Sequence, residues 1–453
     1  MSSYPRPKQL LFPDVFSKKV EIQFTEEDTS SDSGLLFLKQ IVDNLGVVKL
    51  ATKCIKDKRD PDRIQHDMEE MISQRLYQVC AGYEDVNDSD KLKSDPILKL
   101  ISKLKINTNK DKEEENNNEL ASSSTLCRLE NNIGIKEINN LVNLQVDLYL
   151  KRNKKRFEKN KSLNIKIDLD PTDIRTYGAQ QLSLYNGYYR ETCYLPMVIA
   201  DGDNGDLIAT ILKPGTKHAT HLLIPILKRI FQKIKDKYKH ANIEVRADSG
   251  FQSSKLFEYF EEKGVKYSIA LIKNKNTDKQ LKEIIEEAKK EKLKSDKTIK
   301  LFGEFGYKAE KWNKFRRVIY KVEVNSHATD VRIVVTNDKK TTPKKVKENY
   351  NQRANVENVI KELKTYSFGD RLSCKTFKAN FFRLILTSFA LIVFQEFKKK
   401  LYKTSLTNSY VNTIREKIIK VAGTIKVSTR RIIVTLPLSY PYQDVWDYLL
   451  HPV

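Results

Sequence analysis

Cysteine is scarce in this 453-residue chain, and its five residues (Cys54, Cys80, Cys127, Cys193 and Cys374) include no C-x-x-C pair. That spacing excludes a cysteine zinc knuckle and a dense disulfide framework, and fits a reducing cytosolic compartment. Histidine is nearly as sparse, with six residues. His218 and His221 are three apart but have no third ligand near in sequence, so they read as surface residues rather than a metal pair. No G-x-x-x-x-G-K-[ST] loop occurs, which argues against an ATP-driven motor. Ser249 has no evident histidine partner, which disfavours a serine nucleophile. Long apolar runs are also missing. The most apolar stretch, Phe381 to Phe397, is broken by Arg383, Thr387, Ser388, Gln395 and Glu396, too short and too polar to span a bilayer. The opening MSSYPRPKQLLFPDVF has no apolar core of signal-peptide length, so secretion is not expected.

Acidic residues fall well short of basic ones, 59 Asp plus Glu against 82 Lys plus Arg, a net charge of +23. A lysine-rich composition alone could produce this, but the excess is not uniform. Residues 297–453 carry 31 basic and 13 acidic residues, or +18, against +5 for residues 1–296. Charge gathered in a third of the chain points to a polyanionic partner held there. Hydrophobic residues at 40% and charged residues at 31% fit a globular chain, with a length that allows roughly two to four domains.

Apolar residues recur at helical spacing from about Leu35 to Leu104, as in DRIQHDMEEMISQRLYQVCAGYED. A polar stretch, NTNKDKEEENNNE, then reads as a solvated loop. SSSTLCRLENNIGIKEINNLVNLQVDLYLKR begins another helical run, with Ser124 or Thr125 as its cap and Glu130 in an early turn. At Leu163 the period changes to two. LNIKIDLD sets Ile165, Ile167 and Leu169 on one face and Lys166, Asp168 and Asp170 on the other. SLYNGYYR, CYLPMVIA and GDLIATILK read as further strands of a meander. An amphipathic helix with Leu222, Ile226, Ile230 and Ile234 follows, then strand IEVRAD, helix SSKLFEYFEEKG, strand YSIALI and a lysine-rich helix from about Asp278 to Lys292. Three strands between Thr298 and Asn337 form a β insertion. Helices return at Pro343–Thr365 and Thr376–Leu401, the second apolar enough to be core.

This order predicts an α/β fold: a ribonuclease-H-like core with a β-strand insertion, preceded by a helical N-terminal region and followed by C-terminal helices. The divisions are 1–150 (helical, DNA-binding), 160–296 (first part of the core), 297–340 (insertion), 341–402 (second part of the core) and 403–453 (basic tail). Order alone is weak evidence, and the placing of acids sharpens it. Asp170 ends the first strand, Asp248 ends the strand after the long helix, and Glu357 lies in a late helix. Three acids from separate elements can flank two divalent ions and leave room for water and phosphate oxygens. In NYNQRANVENVIKELK, Tyr350, Arg353, Glu357 and Lys364 have the spacing Y-x2-R-x3-E-x6-K. This sets guanidinium, carboxylate and ammonium on one helical face. A solvated helix with i, i+4 ion pairs is the plain alternative.

At this point the sequence resembles the DDE transposases of bacterial insertion sequences, specifically the insertion-sequence 1380 group. The resemblance rests on YQVCAGYEDVNDSDKLKSDPILKL and SSTLCRLEN, IDLDPTD and YNGYYRETCYLPMVIADGD. It continues through RADSGF, YNQRANVENVIKELK, FGDRLSCKTFKANFFRLIL and STRRIIVTLPLSYPYQ, all in order over most of the chain. It implies DNA cleavage and strand transfer at the element's ends. The implied catalytic and metal-binding triad is Asp170, Asp248 and Glu357, holding two Mg2+ ions for which Mn2+ can substitute. Asp168 is the alternative first ligand, and Asp173 a more distant one. The resemblance further implies that Tyr350, Arg353 and Lys364 contact DNA, with packing at a helix start the alternative for Tyr350. Trp312, with Arg316 and Arg317 in the insertion, either holds a displaced base or packs. The partners expected are double-stranded DNA, as terminal inverted repeats and target, and a second copy on DNA, with no membrane and no ATP. The expected location is the bacterial cytoplasm at the nucleoid. A ribonuclease-H-like nuclease or resolvase, and a catalytically silent DNA-binding derivative, are the competing readings.

Overall fold

The computed structural model describes residues 10–11, 21–22, 27–102, 119–159, 162–295, 297–428 and 430–451. The first nine residues and 107–118 of the polar stretch lie outside them. The elements used below are α1 (Leu35–Leu45), α2 (Val47–Cys54), α3 (Met68–Ala81), α4 (Pro96–Ser102), α5 (Ser123–Asn132), α6 (Ile135–Arg152), β1 (Asn164–Pro171), β2 (Ile174–Arg175), β3 (Leu184–Asn186), β4 (Glu191–Tyr194), β5 (Met197–Asp201) and β6 (Leu207–Ile211). They continue with α7 (Leu223–Lys237), β7 (Asn242–Ala247), α8 (Ser254–Glu262), β8 (Lys266–Leu271), α9 (Lys275–Leu293), β9 (Ile299–Tyr307), β10 (Arg316–Val324), β11 (Thr329–Thr336), α10 (Pro343–Asn351), α11 (Asn355–Lys361) and α12 (Phe377–Lys400).

One mixed sheet of eight strands, in the order β9-β10-β11-β8-β7-β1-β5-β6, carries the architecture. β1 pairs antiparallel with β5, and β5 with β6, while β7 and β8 run parallel to β1. The central strands are built for burial on both faces, as parallel strands covered by helices must be. Ile165, Ile167 and Leu169 are sealed on one face of β1, and all five residues of both β5 and β6 are buried. The β insertion continues this same sheet, with β11 antiparallel to β8. Its outer strand β9 alternates half-buried and exposed residues, and Ile299 and Leu301 pack toward Ala288 of α9.

Pro196 divides the segment CYLPMVIA, so it is two strands rather than one. β4 belongs to a small separate sheet, β2-β4-β3, and β5 to the main sheet. The expected meander is therefore β1-β5-β6, and SLYNGYYR lies outside it. The stripe of α7 is also shifted. Leu223, Leu227, Ile230, Phe231 and Ile234 are buried, whereas Leu222 is exposed in a left-handed turn. Ser122, not Ser124 or Thr125, precedes α5, and Glu130 is buried against Arg75 and Arg383 rather than placed in the first turn.

α12 is the hub of the helical layer. It packs on α1, α3, α5, α6 and β6. By length and apolarity it could cross a membrane, but 89% of its apolar window is buried inside the protein. α6 and α12 also close the edge strand β6, whose exposed backbone would otherwise invite pairing. The Thr210 N–H donates to Gln145 Oε1 at 2.9 Å, and the Thr210 and Ser388 hydroxyls lie 2.7 Å apart. Polar clamps fasten the same seam. Tyr149 donates to Asp201 at 2.5 Å, while fully buried Arg152 meets Asp206 at 2.5 Å and Glu396 at 2.9 Å. Asn153 adds a bond to Asp206 at 2.8 Å. Removing one partner strands a buried charge. Asp206→Ala is therefore expected to lower unfolding free energy by about 3 kcal/mol or more, read as a lower urea midpoint.

Candidate active site

β1 and β7 run parallel with Asp168 opposite Arg246, and both side chains are shut from water, at 1% and 0% exposure. Arg246 grips Asp168 with two bonds, Nε to Oδ1 at 2.7 Å and Nη2 to Oδ2 at 2.8 Å. Its other protons reach the carbonyl oxygens of Gly202 at 3.0 Å and Asn349 at 2.5 Å. A buried ion pair is tolerable when its geometry is bidentate and its remaining donors are satisfied. Here the pair ties β1, β7, the β5–β6 turn and α10 together. A Cβ at position 202 would come within 2.3 Å of Arg246 Nη2, so the turn requires glycine.

Side chains recur on one face every second residue of a strand. The last parallel pair is Leu169 with Ala247, and Asp170 and Asp248 follow it side by side at the carboxyl ends. Asp248 is oriented by its own turn, with Oδ1 accepting the Gly250 N–H at 2.9 Å. Glu357 arrives from the helical segment that Arg246 anchors through Asn349. That segment is not one continuous helix. A 3-10 turn at Gln352–Ala354 separates α10 from α11, and a π turn at Glu362–Tyr366 ends it. Val356 and Val359 are buried as α11 packs on β1 and β5, leaving Glu357 66% exposed.

Arg353 stands among the acids, its Nη1 3.3 Å from Asp170 Oδ2 and its Nη2 3.9 Å from Glu357 Oε1. Nη1 is buried and makes no hydrogen bond. Burial lifts the Asp170 carboxyl to about 6; Arg353 pulls it back, and the charges of Asp248 and Glu357 push it up. Burial also raises Asp248, against the Gly250 hydrogen bond and the charges of Arg353 and His218. Two lifted carboxylates at one strand end are negative charge that the protein does not fully offset, and hard oxygen donors of this kind suit a divalent cation. Among the described residues, no three His, Cys, Asp or Glu side chains form a closed set that could hold an ion. The Arg353 guanidinium instead spans Asp170 and Glu357. Asp168 differs in kind from Asp170, because both its oxygens are committed to Arg246.

Lys364, displaced by the π turn, reaches Thr172 Oγ1 at 3.2 Å and Asp173 Oδ1 at 3.3 Å. Burial would lift Asp173, but Lys364 and a hydrogen bond with Glu191 hold it low. Tyr350 is packed rather than presented. It is 8% exposed, its hydroxyl donates to the Ala247 carbonyl at 3.3 Å, and the Lys347 ammonium lies 4.7 Å from its ring. Trp312, Arg316 and Arg317 are all held by protein neighbours, and for Trp312 this is the packing alternative. Trp312 is buried edge-on against Phe257 and Tyr307. Arg316 is buried in a two-pronged pair with Glu261. Arg317 is taken up by Glu304 and the carbonyls of Asp338 and Thr341. A short β region needs such internal anchors, and these side chains provide them.

Arg246 and Tyr189 go unmarked in the sequence, and His218 reads there only as a surface residue. Arg246 was overlooked inside RADSGF, although a charge among Ile243, Val245 and Ala247 in a strand signals a buried partner. His218 acts on Asp248 from the loop after β6. Tyr189, in YNGYYR, is half-buried beside the acids. Burial and the charges of Asp173, Asp170 and Asp248, together with Tyr188, push its hydroxyl up to about 12.

Substitution should act differently at the two aspartates of β1. Asp170 binds its proton more tightly folded than unfolded, so its contribution to stability is full below about pH 4 and lost as pH rises through 6, by about 2–3 kcal/mol. Urea unfolding in a chelator between pH 4 and 7 should show that decline in the wild type and less of it in Asp170→Asn. Asp168→Asn leaves Arg246 poorly matched and should be destabilised throughout the range.

The sequence matches the family described as Transposase DDE domain group 1 over residues 12–453. No curated protein matches it. Among solved structures it is similar to a piggyBac transposase synaptic complex with hairpin DNA, seen by cryo-electron microscopy. The identity is 11% and the TM-score 0.40, over 87% of this chain and 83% of that one.

Proposed function

This chain belongs to the Transposase DDE domain group 1 family and is a DNA transposase, and we propose that it cuts and rejoins DNA at insertion-sequence ends through Asp170, Asp248 and Glu357. The observation that carries this reading is the convergence of those acids at one end of β1, β7 and α11, with Asp170 lifted to about 6 by burial and by its acidic neighbours. Enzymes of this family use divalent metal ions. Here the three carboxylates would hold two Mg2+ ions, with Mn2+ able to substitute. Bound there, the ions would lower the pKa of the attacking water or 3′ hydroxyl and offset charge on the departing oxygen.

The protein's own groups supply the rest. Asp168 and Arg246 keep the two strand ends in register. Arg353, with a buried Nη1 that has no hydrogen-bond partner, is placed to take a phosphate oxygen when the acids receive their cations. Lys364, at the margin, holds the loop after β1 through Asp173 and offers a second positive charge. The first attack is by water on the phosphodiester, and the second is by the freed 3′ hydroxyl on target DNA. Each is an in-line displacement in which one P–O bond forms as another breaks, with no covalent link to protein.

We read β6-β5-β1-β7-β8 as a ribonuclease-H-like core, since three antiparallel strands followed by two parallel ones have that order, with β9 to β11 inserted before the glutamate helix. We assign residues 1–150 to a helical DNA-binding region and the basic 403–453 to a tail that holds the same DNA. On this reading the chain belongs to the insertion-sequence 1380 group and works as a dimer on terminal repeats at the nucleoid.

The test uses a plasmid carrying the DNA that flanks this gene. Asp248→Asn and Glu357→Gln should each cut nicking with Mg2+ at least as far as loss of a supporting residue does, about 10–100-fold, while binding is retained. Retained nicking overturns the assignment. Strand joining by the wild type distinguishes a transposase from a nuclease that only cleaves.

A further inference from the structure

The small sheet β2-β4-β3 has an unusual surface for a structural appendage. Tyr177, Tyr185 and Tyr188 are 72%, 62% and 87% exposed, and Leu182 and Leu184 are also exposed. Large rings left in water are not there to stabilise this fold. Their setting is built nonetheless. Asn186 Oδ1 accepts the N–H groups of Tyr188 and Tyr189 at 2.9 and 3.3 Å, and its Nδ2 donates to Gly215 at 2.7 Å. Arg190 closes the turn at φ +56°, a backbone region that favours glycine. The Tyr188 ring stands edge-on to Tyr189 at 4.9 Å, and the Arg175 guanidinium lies 5.3 Å from the Tyr177 ring.

The sheet stands beside the acids. β2 begins four residues after Asp170, and Lys364 and Glu191 both meet Asp173 in the intervening loop. Exposed neighbours are basic. Arg175, Arg190 and Lys375 are all on the surface, and Lys375 joins through its carbonyl to the Gln181 N–H at 2.9 Å. Aromatic faces interleaved with cations are what unpaired bases stack on, because every base has a π face and every nucleotide a charge. A partner protein would be matched by apolar area alone, and the arginines favour the nucleic acid.

We propose that Tyr185 and Tyr188, with Arg190, form a stacking platform for unpaired bases of the DNA strand being processed at Asp170, Asp248 and Glu357. The proposal rests on the transposase reading of that site. It differs from the expectation for Trp312, which is buried. The platform holds the strand where it has lost its complement, and so favours ends that are frayed or already cut.

The test uses the full chain in a chelator, with a blunt duplex and the same duplex bearing a short single-stranded overhang that contains 2-aminopurine. The wild type should prefer the overhang duplex and quench its fluorescence. The Tyr185→Ala, Tyr188→Ala double variant should lose about tenfold or more in overhang affinity, with blunt-duplex binding unchanged, and Phe at both positions should restore the preference. Equal loss on both duplexes, no loss on either, or a changed molar mass of the free variant overturns the platform. Nicking by the wild type but not by Asp248→Asn, scored separately, shows whether the catalytic reading stands when the platform does not.

Discussion

The buried pair of Asp168 and Arg246 is the interaction on which the rest of the site depends. It lies at the centre of the sheet, where two strands of different connectivity run parallel, and the donors of the guanidinium that do not grip Asp168 reach the β5–β6 turn and α10. Burying two charges carries a large desolvation penalty, so the pair gains its place less by stabilising the fold than by excluding other registers. A slip of one residue between β1 and β7 would turn one charge to the other face of the sheet and leave its partner buried and unpaired. With register held, Asp170 and Asp248 emerge together two residues later, and the segment after α10 brings Arg353 in its 3-10 turn and, one turn on in α11, Glu357.

What emerges is an electrostatically unfinished cluster. Asp170 is lifted to about 6 and Asp248 is raised, both chiefly by burial, and among the described residues a single arginine is the cation that reaches two of the acids. Arg353 reaches Asp170 and Glu357 without a hydrogen bond from Nη1. Such an arrangement keeps the acids from repelling one another apart, and on the proposed reading frees the arginine for a phosphate when cations are bound. The 3-10 and π turns on either side of α11 supply the departures from regular helix that this requires, and such irregular turns are often found at functional sites.

Much of this was legible in the sequence. Period-two alternation in LNIKIDLD, acids at strand ends and the Y-x2-R-x3-E-x6-K spacing located the strands and the clustered acids. In sequence Asp170 is marked out from Asp168 by its strand-end position and Asp-x-Thr context, whereas the engagement of both Asp168 oxygens by Arg246 is visible only in the fold. Other features were hidden because they depend on contacts distant in sequence. Nothing local distinguishes a tryptophan or an arginine that packs, like Trp312 and Arg316, from one that greets DNA. Pro196 could have divided CYLPMVIA, since the N–H that proline lacks interrupts a ladder. Helical turns of differing pitch within one apolar pattern, as at Gln352 and Glu362, leave no mark on periodicity. The excess of charge in residues 297–453 survives as a property of the chain, but part of it is spent inside, since Arg316, Arg317, Lys347 and Arg383 are committed to protein partners.

The central claim is a division of labour between two neighbouring aspartates: Asp168 holds the scaffold and Asp170 takes the metal. Anomalous diffraction from crystals of the DNA-bound protein soaked with Mn2+ tests it most directly. The account predicts manganese peaks within ligand distance of Asp170, Asp248 and Glu357, with the Asp168–Arg246 pair intact and Arg353 turned toward phosphate. A manganese ion on Asp168 with Arg246 displaced, or no ion at the three acids, would contradict it.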